Sequence, residues 1–252
     1  MVSSLHKSSF QDQDRSYVDA RGMDLTGTVF SGSNISGANF DGADLRRARF
    51  SDHRIRASEI APHKSNGEGP DAEPAPHQLD CKYCGSLPKG ATSIRASYIG
   101  ANLTGAEGIG AVMIASNFSS ATMQNSIWTC GNMVGTVFNG ANAENAHFCC
   151  ADLRGASFVG ANLRGACFRG AILVSVDFTG ADLRGATFDQ SLIHTLSTCR
   201  LDDAQIIGSN LESSFDILSI GALEVITKAV DCPQKLIDKL KRMRTGKSAF
   251  GL

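Results

Sequence analysis

A large apolar side chain recurs at every fifth position from Tyr98 onward, through Leu103, Met113, Phe118, Met123, Trp128, Met133 and Phe138, and then from Phe148 to Phe188 without a break. Two residues before each of these centres stands a small residue. Of the twenty such positions between Ala96 and Ser191, fourteen are Ala and three are Ser, far above the average use of either. Two residues after each centre Gly is frequent, as at Gly100, Gly105, Gly110, Gly135, Gly140, Gly155, Gly160, Gly165, Gly170, Gly180 and Gly185.

A period of five matches neither the 3.6 of a helix nor the 2 of a plain strand. It does match a short extended segment followed by a corner. Residues two apart in an extended segment face the same way, so the small residue and the large apolar one both point inward. The corner falls on the Gly, which tolerates backbone angles that other residues resist. Repetition winds the chain about an axis and lets successive coils pair through their backbones at strand spacing. The expectation is an all-β solenoid.

Ala-Asp-Leu-Arg-Gly at 151–155 and 181–185, with Ala-Asn-Leu-Arg-Gly at 161–165, resembles the pentapeptide-repeat motif A-(D/N)-L-x-x. The resemblance covers roughly two thirds of the chain and implies a right-handed quadrilateral β-helix, with four quintets to a coil. Residues twenty apart would then stack. Phe148, Phe168 and Phe188 form one column, and Phe118, Phe138, Phe158 and Phe178 the opposite one. Leu153 with Leu173 and Leu163 with Leu183 fill the other two sides. Outside, Asn142, Asn162 and Asp182 form a polar ladder. Glu144 is set to pair with Arg164 and Arg169 with Asp189, exposed contacts that contribute little. Gly108 and Ala143 interrupt the core pattern and are expected to be weak points.

The pattern divides the chain. Residues 1–21 read as a polar leader or cap. Residues 22–60 carry a first block of repeats through Leu25, Phe30, Ile35, Phe40, Leu45, Phe50, Ile55 and Ile60. Residues 61–92 hold five of the six prolines and read as a long inserted loop, a length unusual unless functional. The main block spans 93–213, with a register slip of three near His194–Cys199. Residues 214–252 read as two C-terminal helices, 214–230 and 233–244, and a basic tail. Leu236, Ile237, Leu240 and Met243 make the apolar stripe of the second helix. A short helical cap of this kind would cover the open edge of the last coil.

Charge adds one restriction. A formal net charge of −1 gives no general attraction to nucleic acid or to an anionic membrane. No apolar run is long enough to span a bilayer, and the polar N-terminus lacks a secretory signal. The expected compartment is the cytoplasm, where the eight cysteines would be reduced.

Candidate chemistry is sparse. The inserted loop carries His77, Cys81 and Cys84, with His63 upstream, and these four could complete a tetrahedral structural zinc site. Against this, the second CxxC of a zinc ribbon is missing, so the plainer reading is free thiols in a loop. Cys130 and Cys150 are twenty apart and would stack, while Cys149, Cys167, Cys199 and Cys232 suggest no role. No nucleophile, base and orienting group fall into a catalytic arrangement, and the glycines belong to corners rather than to a phosphate loop.

The expected function is therefore a non-catalytic protein-binding scaffold, with residues 61–92 as specificity element. The family resemblance implies an alternative: protection of DNA gyrase from quinolone-like poisons by an acidic, DNA-like rod, with C-terminal helices assisting a homodimer. From Arg95 to Asp189 the chain has six acidic and five basic residues, which departs from an acidic rod. A third expectation, also from the family, is a secreted bacterial effector acting on host proteins.

Overall fold

The computed structural model describes residues 5–51, 90–188, 195–209, 220–230, 232 and 234–249. Its framework is a set of parallel ladders. Thr92 pairs with Val112, Ser97 with Asn117, Asn102 with Thr122 and Glu107 with Ile127, and the same four pairings repeat one coil further on. Each coil thus takes twenty residues and has four sides. One pairing widens into two short parallel strands, β1 (Cys167–Phe168) and β2 (Thr187–Phe188). The corners lie where the period placed them: Gly155, Gly160 and Gly165 have φ of 66°, 65° and 65°.

Two register changes interrupt the coils. Asn34 pairs with Thr92, Asn39 with Ser97, Asp44 with Asn102 and Arg49 with Glu107. These partners are 58 apart where others are 20 apart, so 38 residues are set aside between Ser51 and Gly90. Ile55 and Ile60, assigned from sequence to the first block, lie outside the described residues. Further on, Asp177 pairs with Arg200 and Asp182 with Gln205, 23 apart, and the three extra residues accompany a 3-10 turn at Leu196–Thr198.

The ladders also start earlier than the sequence pattern suggests. Ser9 pairs with Val29, Asp14 with Asn34 and Asp19 with Asn39, so residues 5–21 are already coil rather than leader. The pattern was hidden because large and small exchange places there. Ala20 occupies a centre and is buried, while Val18 and Met23 take the small-residue positions and pack against the core. The centre before it is Arg15, whose guanidinium lies over the Phe10 ring at 5.0 Å.

Inside, the aromatic columns are in register. Phe148, Phe168 and Phe188 stack with ring centroids 5.3 and 5.2 Å apart. Phe118, Phe138, Phe158 and Phe178 do so at 5.3, 4.6 and 5.4 Å. The two columns meet edge to face, as at Phe148 and Phe158 with an interplanar angle of 77°. Both geometries suit the ring quadrupoles.

Gly108 is not a hole. Its place in the first column is taken by the indole of Trp128, one coil on, and a methyl group on Gly108 would run into the six-membered ring of that indole. Trp128 reaches across to Phe50 at 6.0 Å, so the column stays continuous. Its Nε1–H donates to Ser126 Oγ at 2.8 Å, which removes the cost of a buried donor. A second exchange occurs at Tyr98. Its ring stacks on Phe118 at 4.4 Å, and its buried hydroxyl lies 2.7 Å from Ser93 Oγ. Ser93 stands where the neighbouring coils have Ile35 and Met113. Burial drives the Tyr98 phenol well above the ordinary range, so it is protonated. Ala143, the other expected weak point, is fully buried.

Two helices follow the last coil: α1 (Ile220–Ile226) and α2 (Gln234–Ala249). Ala222, Leu223 and Ile226 of α1, and Leu236 and Leu240 of α2, are buried in the same core cluster as the coils. The segment after α1 adds to the last coil through Val230 N–H to Ala204 O at 2.9 Å and Asp203 N–H to Lys228 O at 3.1 Å. Arg244 Nη2 bonds Glu224 Oε1 at 2.7 Å, tying α2 to α1. Among the described residues no helix is long and apolar enough to cross a membrane.

Candidate interaction surface

Each quintet turns outward the residue before its centre and the one after it, and some add a third at the corner, such as Ser120, Asn125 and Asn145. The backbone explains what the first of these is for. In the quintet around Leu103, the N–H groups of Ala101, Asn102, Leu103 and Gly105 all donate to backbone carbonyls at 2.6–3.0 Å. Thr104 N–H is left over, and it donates to Asn102 Oδ1 at 3.1 Å. The same bond recurs from Ser119 to Asn117, Thr179 to Asp177 and Arg184 to Asp182. An Asp or Asn before the centre therefore satisfies the one amide that the ladder leaves open.

Other quintets solve this differently. Val159 N–H goes to Asn139 Oδ1 at 3.1 Å, and Ile99 N–H to Asp41 Oδ1 at 2.9 Å, in both cases a side chain of the neighbouring coil. These same acceptors reach diagonally to the residue before the next centre. Ser157 Oγ donates to Asn139 Oδ1 at 2.6 Å, and Ser97 Oγ to Asp41 Oδ1 at 2.5 Å.

The positions before the centre favour an anion. Asp14 accepts Ser16 N–H, and that bond is the first cause of a carboxyl pKa below the ordinary range. For Asp44, Asp152 and Asp182 the first cause is the arginine two residues on, with the backbone N–H adding to it. Asp19 is taken down to about 2 by Arg21. Ion pairs form within one rung, Asp152 with Arg154 and Asp182 with Arg184, each at 2.6 Å, and also between neighbouring coils, Arg200 with Asp177 at 3.2 Å and Arg49 with Glu107 at 3.5 Å. The expected cross-rung pair of Glu144 with Arg164 is absent. Glu144 accepts from Gln124 Nε2 at 3.2 Å, and Arg164 lends its field to Asp182. Asp189, the expected partner of Arg169, lies outside the described residues.

The four sides differ in chemistry. The side centred on Leu103, Met123, Ala143, Leu163 and Leu183 shows only polar outward residues, among them Asn102, Gln124, Asn142, Asn162 and Arg184. The side centred on Ser93, Met113, Met133, Leu153 and Leu173 is mostly aliphatic, with Ile94, Val112, Ile114, Val134, Ile172 and Val174 outward, and carries Thr92, Asn132 and the Asp152–Arg154 ion pair among them. Of the aliphatic residues, Ile172 is exposed and the others are half-buried. This aliphatic side begins at the corner where the chain re-enters at Gly90.

His63, His77, Cys81 and Cys84 lie outside the described residues, so the zinc arrangement stays an expectation. Among the described residues no group of three or more His, Cys, Asp and Glu could hold a metal ion. Cys130 and Cys150 occupy successive corners with φ of 56° and 57°, and both are thiols rather than a disulfide. Sequence reasoning missed a different pair: Cys149 Sγ and Cys167 Sγ, which are 2.6 Å apart.

The model of the pentapeptide repeats matches residues 16–52, 131–170 and 151–190, in 8 copies. No curated protein matches in sequence. Among solved structures, QnrB1, a plasmid-mediated fluoroquinolone resistance protein, is similar at 16% identity, with 82% of each chain covered and a TM-score of 0.43. HetL, involved in heterocyst differentiation regulation in Nostoc sp. strain PCC 7120, is similar at 17% identity, covering 81% of this chain and 84% of its own, with a TM-score of 0.30. A pentapeptide repeat protein of the Arabidopsis thaliana thylakoid lumen shares 21% identity over 43% of this chain and 74% of its own, with a TM-score of 0.33.

Proposed function

Because this chain belongs to the pentapeptide-repeat family, we propose that it is a non-catalytic scaffold that binds a protein partner along its aliphatic side. The observation that carries the reading is the contrast between sides of one rod. All four share the same inward pattern, yet one side carries Ile94, Ile114, Val134 and Val174 after its centres, with Arg154 between the last two, where another carries Thr104, Gln124, Glu144, Arg164 and Arg184. Core packing places no demand on these outward positions, and a row of aliphatic side chains on a surface marks an interaction site. The 38-residue excursion between Ser51 and Gly90 opens beside that side and serves as the specificity element. The C-terminal helices cap the other end of the rod.

The test is to replace Ile114 and Val134 with Asp and, separately, to delete residues 52–89. Partners cross-linked to the native chain in its source cells are then compared with those of each variant. The reading expects the same partner to be lost from the Asp variant at unchanged thermal stability. An unaltered set of partners with both variants would end it. The family's gyrase-protecting branch is the other outcome. The mixed polar side, with Arg164 and Arg184 beside Asp182, argues against a DNA-like surface, so quinolone inhibition of gyrase supercoiling is expected to be unchanged by this protein.

A further inference from the structure

The geometry points to Cys149 and Cys167 as a built oxidation site, a thiol pair on adjacent coils that a small hydroperoxide converts to a cross-rung disulfide. Cys167 stands immediately before the centre Phe168, in the position that Asp14, Asp152 and Asp182 occupy in other quintets. There its sulfur stands where their carboxylate does, and the Arg169 backbone N–H helps to lower its pKa. Cys149 stands just after the centre Phe148, as Asn139 does after Phe138. Asn139 reaches diagonally to Ser157, and Cys149 reaches in the same way to Cys167, to 2.6 Å. The contact is thus a recurring geometry of this fold carrying two sulfurs. Bringing them to the covalent distance of about 2.05 Å asks for a shift of only about half an ångström.

The surroundings divide the two thiols. The Cys149 thiol donating to Cys167 is the first cause that draws Cys167 below the ordinary thiol range. The Arg169 N–H, the Thr187 side chain and the Arg169 charge act in the same direction. Cys149, as the donor, is raised, with burial and the nearby Cys150 adding to that. His147, the ladder partner of Cys167, is half-buried and its pKa is lowered by burial, so at neutral pH it brings no charge. The Arg169 charge and backbone, with the Thr187 side chain, thus favour carrying the thiolate on Cys167.

The chemistry balances with one molecule of hydrogen peroxide. The Cys167 thiolate attacks a peroxide oxygen and the O–O bond breaks. The sulfur becomes a sulfenic acid, and the departing hydroxide takes up a proton to become water. Cys149 sulfur then attacks Cys167 sulfur, the S–O bond breaks, and the leaving hydroxyl carries away the Cys149 proton as a second water. Two thiols lose two electrons and two protons, and the peroxide is reduced to two waters.

The experiment exposes the full-length chain to hydrogen peroxide, alkylates what remains and digests it without reduction. Arg154 and Arg164 give trypsin cuts between the two cysteines. The expected product is one disulfide joining Cys149 to Cys167, formed equally in a Cys130→Ser/Cys150→Ser chain. In Cys149→Ser, Cys167 is trapped as sulfenic acid by dimedone, about tenfold faster at pH 7 than Cys232. A disulfide through Cys130 or Cys150 would overturn the assignment. So would Cys149 and Cys167 both remaining alkylatable, or trapping of Cys167 no faster than of Cys232.

Discussion

The coils from 131 to 188 and those from 91 to 130 have the same ladders but very different interiors. The first group repeats Ala and Leu or Phe with few departures, and the repeat model matches it. The second lies beyond the matched residues and places Ser93, Tyr98, Gly108 and Trp128 in the core. Backbone pairing does not register the difference: Thr92 to Val112 and Asn132 to Asp152 are equivalent bridges. What the ladder requires of the core is that space be filled and polar atoms be partnered. In the irregular coils this is achieved by pairs of residues, whereas in the regular ones each residue suffices alone. Energetic coupling between core positions should therefore concentrate below residue 130.

The largest effect expected is at Gly108 and Trp128. Trp128→Ala should cost about 3–5 kcal/mol and Gly108→Ala about 1–3 kcal/mol through overpacking, both read from urea unfolding. In a Trp128→Phe background the Gly108→Ala cost should fall by at least about 1 kcal/mol, since the clash is with the indole. Strict additivity would remove the idea of a paired exchange. Next comes Ser93→Ala, which strands the Tyr98 hydroxyl in a buried site and should cost about 1–3 kcal/mol. Tyr98→Phe added to it should recover most of that loss, and a double variant weaker than either single one would refute the pairing.

The smallest effects test the corners, which both groups share. Gly160 has φ of 65° and open space around its Cα, so Gly160→Ala should cost about 1–2 kcal/mol from backbone strain alone. Ala115 holds the same conformation at φ 54°, and Ala115→Gly should raise stability by roughly 0.5 kcal/mol after the entropy of the freer unfolded chain is deducted. The same entropy term offsets part of the strain in Gly160→Ala, so its net cost should fall at the lower end of that range and mirror the Ala115→Gly gain.

The period of five, the corners and the aromatic columns were legible because each is a local choice repeated many times. Other features were not, for identifiable reasons. Gly108 looks like a defect until Trp128, twenty positions away, is known to lie over it. Residues 5–21 escaped notice because Val18 and Ala20 reverse the usual order of small and large. Arg164 was assigned across coils to Glu144, but that carboxylate accepts from Gln124 of the coil before it. Cys149 and Cys167 are 18 apart, a diagonal that a search at twenty passes over, although Asn139 and Ser157 share it. The Asp or Asn of the motif was visible as a habit, and its reason, the unclaimed amide two residues on, needed the hydrogen bonds.

The central claim is that the coils continue across the 38-residue excursion as if it were absent. A through-hydrogen-bond scalar coupling in the NMR spectrum between the Asn102 amide nitrogen and the Ala43 carbonyl carbon tests it most directly, since that bond is 2.9 Å long here. The account predicts that this coupling is present and that the Asn102 amide is protected from exchange. A coupling from the Ala43 carbonyl to the amide of Lys64, its partner if the chain wound on without leaving the coil, would contradict it.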